Sequence, residues 1–243
     1  MDEKNDKDFK QFLDECRLQK ERRLAIIFAH VKNGVEFPDP EHTYVDETVV
    51  IGRGTRVFPG VRLEGTTVIG ENCLIGDGCR IENSAVGAET QIRISHILDS
   101  HIGSRCNIGP FAYVRPGCRI GDGVKIGDFV EVKNSVIGEG TKVPHLTYVG
   151  DADLGSGINL GCGVIFVNYD GSVKHRSTVG DGAFVGCNTN LISPVTVGEN
   201  AYIAAGSTIT RDVPPGALAV ARARQENVPG WVEKRGLLKK KER

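Results

Sequence analysis

His145, Cys162, Cys187 and Ala205 are separated by 17, 25 and 18 residues, and each lies two places after an aliphatic residue: Val143, Leu160, Val185 and Ile203. An imidazole followed by small side chains at repeated intervals suits a general base at one end of a narrow groove, with room beside it for an extended thioester cofactor. Arg115 and Lys133 form a second set. Each directly follows a valine, Val114 or Val132, and the two are 18 residues apart. Two cations in one phase repel, so the pair makes most sense with a phosphate or carboxylate between them. Glu131 is read as the carboxylate one turn before His145 that orients the imidazole and raises its basicity.

These groupings have meaning only if about 18 residues form a structural repeat. An aliphatic residue returns near every sixth position, at 51, 57, 63, 69, 75 and 81, at 102, 108, 114, 120, 126 and 132, and again at 179, 185, 191, 197, 203 and 209. A period of six fits neither a helix nor an alternating strand. It predicts hexapeptide repeats, three to a triangular coil, in which each coil buries its apolar residues by stacking on the next. The fold class expected is a parallel β-helix of roughly nine coils. Stacked coils lie about 4.8 Å apart, so the row from residue 145 to residue 205 is roughly 14 Å long, comparable to an extended pantetheine arm.

The elements around this repeat are simpler. Phe9, Leu13, Cys16, Leu24, Ile27, Phe28 and Val31 predict one amphipathic helix over 6–32, stopped by Gly34 and by Phe37-Pro-Asp-Pro40. The expected domains are a helical arm at 1–36, the β-helix at 37–213, and a C-terminal arm with a basic tail at 214–243. Steps of five occur at 81 to 86, 132 to 137 and 149 to 154, and the interval from Leu98 to Ile102 is irregular. Val179 follows Phe166 by thirteen places where six are expected, so a loop leaves the prism there, and long loops on rigid scaffolds usually carry function. The 243-residue chain has a formal net charge of -1, which gives no bulk attraction to nucleic acid or membranes. Its polar, acidic N-terminus lacks an apolar signal region, and a cytoplasmic location is expected. Seven cysteines without a Cys-x-x-Cys pair imply neither a disulfide framework nor a structural zinc site. Cys73, Cys79, Cys106 and Cys118 fall at the small inward slot, whereas Cys162 and Cys187 face outward.

Arg115-Pro-Gly117, Val130-Glu-Val-Lys133, His145-Leu-Thr-Tyr-Val-Gly-Asp151, Asn159-Leu-Gly-Cys-Gly163, Asn168-Tyr-Asp-Gly171 and Ala204-Ala-Gly206 resemble, in order and spacing, a known bacterial family. It is the acetyltransferase half of the bifunctional N-acetylglucosamine-1-phosphate uridyltransferase/glucosamine-1-phosphate acetyltransferases. The resemblance covers about residues 35–231. It implies a homotrimer of left-handed β-helices with active sites between subunits, which moves an acetyl group from acetyl-CoA to the amine of glucosamine 1-phosphate without a metal. Arg115, Lys133, Tyr148 and Lys174 are similar in place to sugar-phosphate ligands, and Asn159 and Asn168 to contacts near the sugar. His145 matches the general base. Cys162, Asn168, Tyr169, Cys187, Ala205 and Arg222 match positions that hold coenzyme A, with Arg222 expected to reach a neighbour's site. Cys162 and Cys187 stand where Ala and Ser are expected; a thiol fits both places but is open to oxidation. The nucleotide-transferring half is missing, so uridyl transfer is not expected of this chain, and a separate uridyltransferase is a conceivable partner.

Three rivals have sequence features of their own. His96 and His101 show a spacing that trimeric zinc β-helices use, but position 60, where a third ligand belongs, is Gly. A non-catalytic trimeric scaffold would need no intact polar site. An acetyltransferase for another amino sugar phosphate would keep the same residues.

Overall fold

The computed structural model describes residues 3–237. Short parallel strands stack into three sheets, the faces of a triangular prism. The first face has ten strands, from Tyr44–Val45 to Thr208–Ile209, and the second has nine, from Val50–Ile51 to Thr196–Val197. The third has ten, from Arg56–Val57 to Leu218–Ala219. Each strand pairs with strands one coil before and after it, as Leu63 does with Ile81. The chain is a left-handed parallel β-helix of about ten turns. The stack runs past residue 213, because Leu218–Ala219 still pairs with Tyr202–Ile203 although no aliphatic hexad continues there.

Inward positions carry the hexad aliphatics, among them Leu63, Ile69, Ile75, Ile81 and Ile126, all buried. The residue that faces inward in the irregular stretch is Ile97 and not Leu98, so the irregularity resolves into two five-residue steps, 92 to 97 and 97 to 102. Between the aliphatics lie small side chains whose polar atoms bond to the neighbouring coils. Thr55 Oγ1 donates to the Gly70 carbonyl at 2.8 Å and accepts the Cys73 amide at 3.0 Å, which removes most of the cost of burying a hydroxyl. Cys73, Cys79, Cys106 and Cys118 occupy this slot, and burial pushes their thiols up, that of Cys79 to about 11.

Helix α1 spans Glu3–Lys32 and ends at Gly34, whose φ of 85° reverses the chain. Only its last turns meet the prism. Ile27 is buried, Arg23 donates to the Glu41 carbonyl at 2.9 Å and covers the Tyr44 ring, and Phe9, Phe12 and Leu13 stand exposed beyond that contact. Among the described residues, no helix is long and apolar enough to cross a membrane. Residues 238–243 of the basic tail lie outside the described residues.

Candidate active site

The third-face strand Lys142–His145 pairs with Lys125–Asp128, and the register sets Asp128 opposite His145. His145 Nδ1 meets Asp128 Oδ1 at 2.5 Å. An ionised carboxylate only accepts, so Nδ1 carries the proton and Nε2 keeps a lone pair for an incoming proton. The bond from His145 also lowers the Asp128 pKa, which holds that carboxylate in the accepting form. Glu131, the carboxylate expected to serve His145, does something else. It lies opposite Tyr148 in the ladder and takes Arg115 Nη1 on its Oε1 at 2.8 Å. Phase explains the difference: Asp128 and His145 both follow an inward residue by two places, whereas Glu131 precedes Val132 by one. The trimmed step from 132 to 137 shortens that coil to 17 residues, and counting 17 back from His145 gives Asp128.

Beyond His145 a line of backbone bonds joins the row. The Gly163 amide donates to the His145 carbonyl at 3.4 Å, Asn188 to Cys162 at 2.8 Å and Gly206 to Cys187 at 2.8 Å. Two glycines form its floor. A Cβ on Gly161 would come within 2.5 Å of the Cys187 amide nitrogen, and one on Gly186 equally close to that of Ala205, so no other residue lets these coils stack. Cys162 is half-buried, and Cys187 and Ala205 are exposed. The exposed Arg222 follows one coil later, with its Cδ 3.9 Å from the place a Cβ of Gly206 would take. In this single chain Arg222 therefore caps the end of its own row, far from His145.

A second cluster gathers around Asp151, a buried residue that no sequence reading assigned a role. Its carboxylate accepts from Lys133 Nζ at 3.1 Å, Asn134 Nδ2 at 2.6 Å and Asn168 Nδ2 at 2.5 Å. Burial works against the charged Asp151, but these donors outweigh it and lower its pKa. Asn168 Nδ2 also lies 3.4 Å from Tyr148 Oη. Tyr148 leans across Gly150, where a Cβ would overlap its hydroxyl. Burial likewise disfavours the Lys133 ammonium, but Asp151 more than compensates and raises its pKa. Lys174 stands against Lys133, and that neighbouring cation lowers its pKa, with a further repulsion from Arg115. In place of one anion shared between the two cations, each has its own carboxylate, Arg115 with Glu131 and Lys133 with Asp151. The excess positive charge resides instead at Lys174, the third cation of a group with two carboxylates.

Lys174 arrives on the loop 168–176, which is stiffened from within and clamped from below. Asp170 accepts the Ser172 and Val173 amides at 2.7 Å each and pairs with His175 Nε2 at 2.7 Å. Exposed Tyr169 donates its hydroxyl to the Gly171 carbonyl at 2.7 Å. Arg176 grips Asp153 through Nε at 2.6 Å and Nη2 at 2.5 Å, and its Nη1 donates to the Asn134 carbonyl at 2.8 Å. Asn168 thus belongs by its contacts to the Asp151 cluster. Asn159 does not join it: exposed on the third face, it lies between Lys142 and Phe184 in the ladder.

His145 precedes the first-face strand Tyr148–Gly150 and Asp151 follows it, so the imidazole and the cationic cluster occupy opposite edges of that face. Along the corner beside His145, Ile94, Phe111, Phe129 and Leu146 recur one coil apart. All are exposed, and the rings of Phe111 and Phe129 stack at 5.3 Å. His96 and His101 stand on different faces, the first and the second. Among the described residues, no group of three or more His, Cys, Asp or Glu side chains is placed to hold a metal ion.

Comparison with known proteins gives this geometry a family. The model of the GMPPB C-terminal domain matches residues 41–137, and that of the bacterial transferase hexapeptide (six repeats) matches residues 176–211. The chain is 56% identical over 210 residues to the bifunctional protein GlmU of Clostridium beijerinckii, an alignment covering 86% of this chain and 46% of that protein. With GlmU of Clostridium novyi the identity is 54% over 217 residues, covering 89% and 48%. The chain thus spans about half the length of the curated relatives it matches. Among solved structures, a perosamine N-acetyltransferase mutant from Caulobacter crescentus, in complex with CoA and GDP-perosamine, shares 29% identity over 44% of this chain and 49% of that one, with a TM-score of 0.40. With over half of its aligned residues identical across nearly nine-tenths of its length, the chain belongs to the hexapeptide-repeat transferases, as a homologue of the C-terminal half of GlmU.

Proposed function

We propose that this chain is an acetyl-CoA-dependent N-acetyltransferase that acetylates glucosamine 1-phosphate, working as a homotrimer whose active sites lie between subunits. The observation that carries this reading is the exposed imidazole of His145, held by Asp128 with Nε2 free, at the head of a row of small side chains. An amine attacks a thioester only when deprotonated, and His145 Nε2 is the acceptor for its proton. Asp128 stabilises the imidazolium that results. The groove past Cys162, Cys187 and Ala205 takes the pantetheine arm of acetyl-CoA, and Arg222 at its far end offers a cation to the cofactor's phosphates. Lys174, with Lys133 and Arg115, binds the sugar phosphate and so fixes the amine against the thioester carbonyl.

The opposite placement of base and cation cluster supports an intersubunit site. One protomer's cluster faces the groove of the next, and the apolar corner of Ile94, Phe111, Phe129 and Leu146 gives that contact a surface to bury. The test is to incubate the protein with acetyl-CoA and glucosamine 1-phosphate and to follow both CoA release and the acetylated product by mass. The proposal expects stoichiometric N-acetylglucosamine 1-phosphate, with glucosamine 6-phosphate and galactosamine 1-phosphate as poorer competitors. CoA release that is indifferent to the amino sugar, or no turnover at all, would overturn it.

A further inference from the structure

Cys162 and Cys187 each follow an inward residue by two places, Leu160 and Val185, and these two pair directly in the ladder of the third face. The Asn188 amide, next to Cys187, donates to the Cys162 carbonyl at 2.8 Å, so the pairing extends past the strand to the cysteines. Their Cα atoms are therefore one strand spacing apart, about 4.8 Å, with both side chains turned outward. A disulfide needs a Cα separation of about 4.4–6.8 Å. Both thiols are free, Cys187 exposed and Cys162 half-buried.

Among the described residues of the coils, no other two cysteines share a phase on neighbouring coils. Thr90 separates Cys73 from Cys106, Cys79 has Ser95 beside it, and Cys118 lies between Ser100 and Ser135. All four are buried. Cys16 is on α1.

We propose that Cys162 and Cys187 form a thiol–disulfide exchange site on the groove wall, which takes small-molecule disulfides and closes into an intramolecular bond between the two coils. The more exposed Cys187 thiolate attacks one sulfur of a disulfide R–S–S–R, forming Cys187–S–S–R and expelling R–S⁻. The Cys162 thiolate then attacks the Cys187 sulfur and expels the second R–S⁻. The two protons given up by the cysteines end on the two released thiols, so the protein is oxidised and the small disulfide is reduced by the same two electrons. The closed bond draws the two sulfurs together across the row between His145 and Ala205. Its consequence for acetyl-CoA rests on the proposed function, whereas its formation does not.

The full chain, reduced and then incubated with oxidised glutathione, is trapped with N-ethylmaleimide and analysed by intact mass and peptide mapping. The expected result is a loss of two hydrogens, a 162–187 cross-linked peptide, five maleimide adducts and full reversal by dithiothreitol. Cys162→Ala should accumulate the mixed disulfide at Cys187 without cross-linking. Recovery of all seven thiols, or persistent mixed disulfides in the wild type with no 162–187 link, would overturn the site. A linked protein should also lose acetyl-CoA binding relative to its reduced form, and the Cys162→Ala/Cys187→Ser double variant should bind equally before and after treatment. Unchanged binding by the linked wild type would overturn the effect on the groove. A reduced protein that never turned over acetyl-CoA would count against the proposed function and leave the mass result to decide the exchange site.

Discussion

At the scale of single residues, two carboxylates on neighbouring phases divide the work: Asp128 serves the imidazole and Glu131 serves Arg115. Kinetics can separate them. His145→Ala should lower kcat by about 10²–10⁴-fold with little change in KM for the sugar phosphate, the range for loss of a positioned base. Asp128→Asn should also lower kcat, because its amide can donate to Nδ1 and leave the proton on Nε2. Glu131→Gln should act on KM instead, through Arg115. Steady-state rates at saturating acetyl-CoA check all three. Asp151 makes a different prediction. Its folded-state pKa lies below its unfolded one, so its stabilising contribution is present above the unfolded value and is lost as pH falls through the folded one. Asp151→Asn should therefore cost about 1–3 kcal/mol at neutral pH, the scale of hydrogen bonds to a charged group, and should flatten the loss of stability on acidification. Urea unfolding at pH 7 and below pH 4 measures both.

At the scale of elements, the loop 168–176 leaves the repeat and is held to the prism at both ends, by Asn168 on Asp151 and by Arg176, which uses three nitrogens to hold Asp153 and the Asn134 carbonyl. Arg176→Ala should free the loop, raise KM for the sugar phosphate while leaving KM for acetyl-CoA nearly unchanged, and open the segment to proteolysis. Arg176→Lys should rescue little, because a single ammonium cannot grip Asp153 through two nitrogens and reach a carbonyl with a third. The loop's existence was legible from the thirteen-place interval from Phe166 to Val179, but its anchoring was not. Asp153 and Arg176 are 23 residues apart and meet only because the loop returns to the coil it left.

For the whole molecule, the proposed intersubunit site makes assembly a requirement of activity. Phe129→Glu should break the apolar corner, so that analytical ultracentrifugation shows monomers in place of trimers, with activity lost in proportion. Mixing provides a sharper test. His145→Ala and Lys133→Ala subunits, each inactive alone, should regain part of the activity when unfolded and refolded together, because some sites then take an intact imidazole from one subunit and intact cations from another. Recovery no greater than that of either variant alone would place the whole site within one protomer.

The six-residue period by itself determined the prism, the burial of four cysteines, the outward row from His145 to Ala205 and the place of the loop. Each of these is a matter of phase, and stacking at a fixed spacing converts phase directly into position. Only the tertiary structure decided which carboxylate each base or cation meets, that Asp151 gathers Lys133, Asn134 and Asn168, and that the base and the cations lie on opposite edges of a face. The trimmed step from 132 to 137 could have been counted back from His145 to Asp128, but how far side chains such as those of Lys133 and Asn168 reach across the register is not written in a count along the chain.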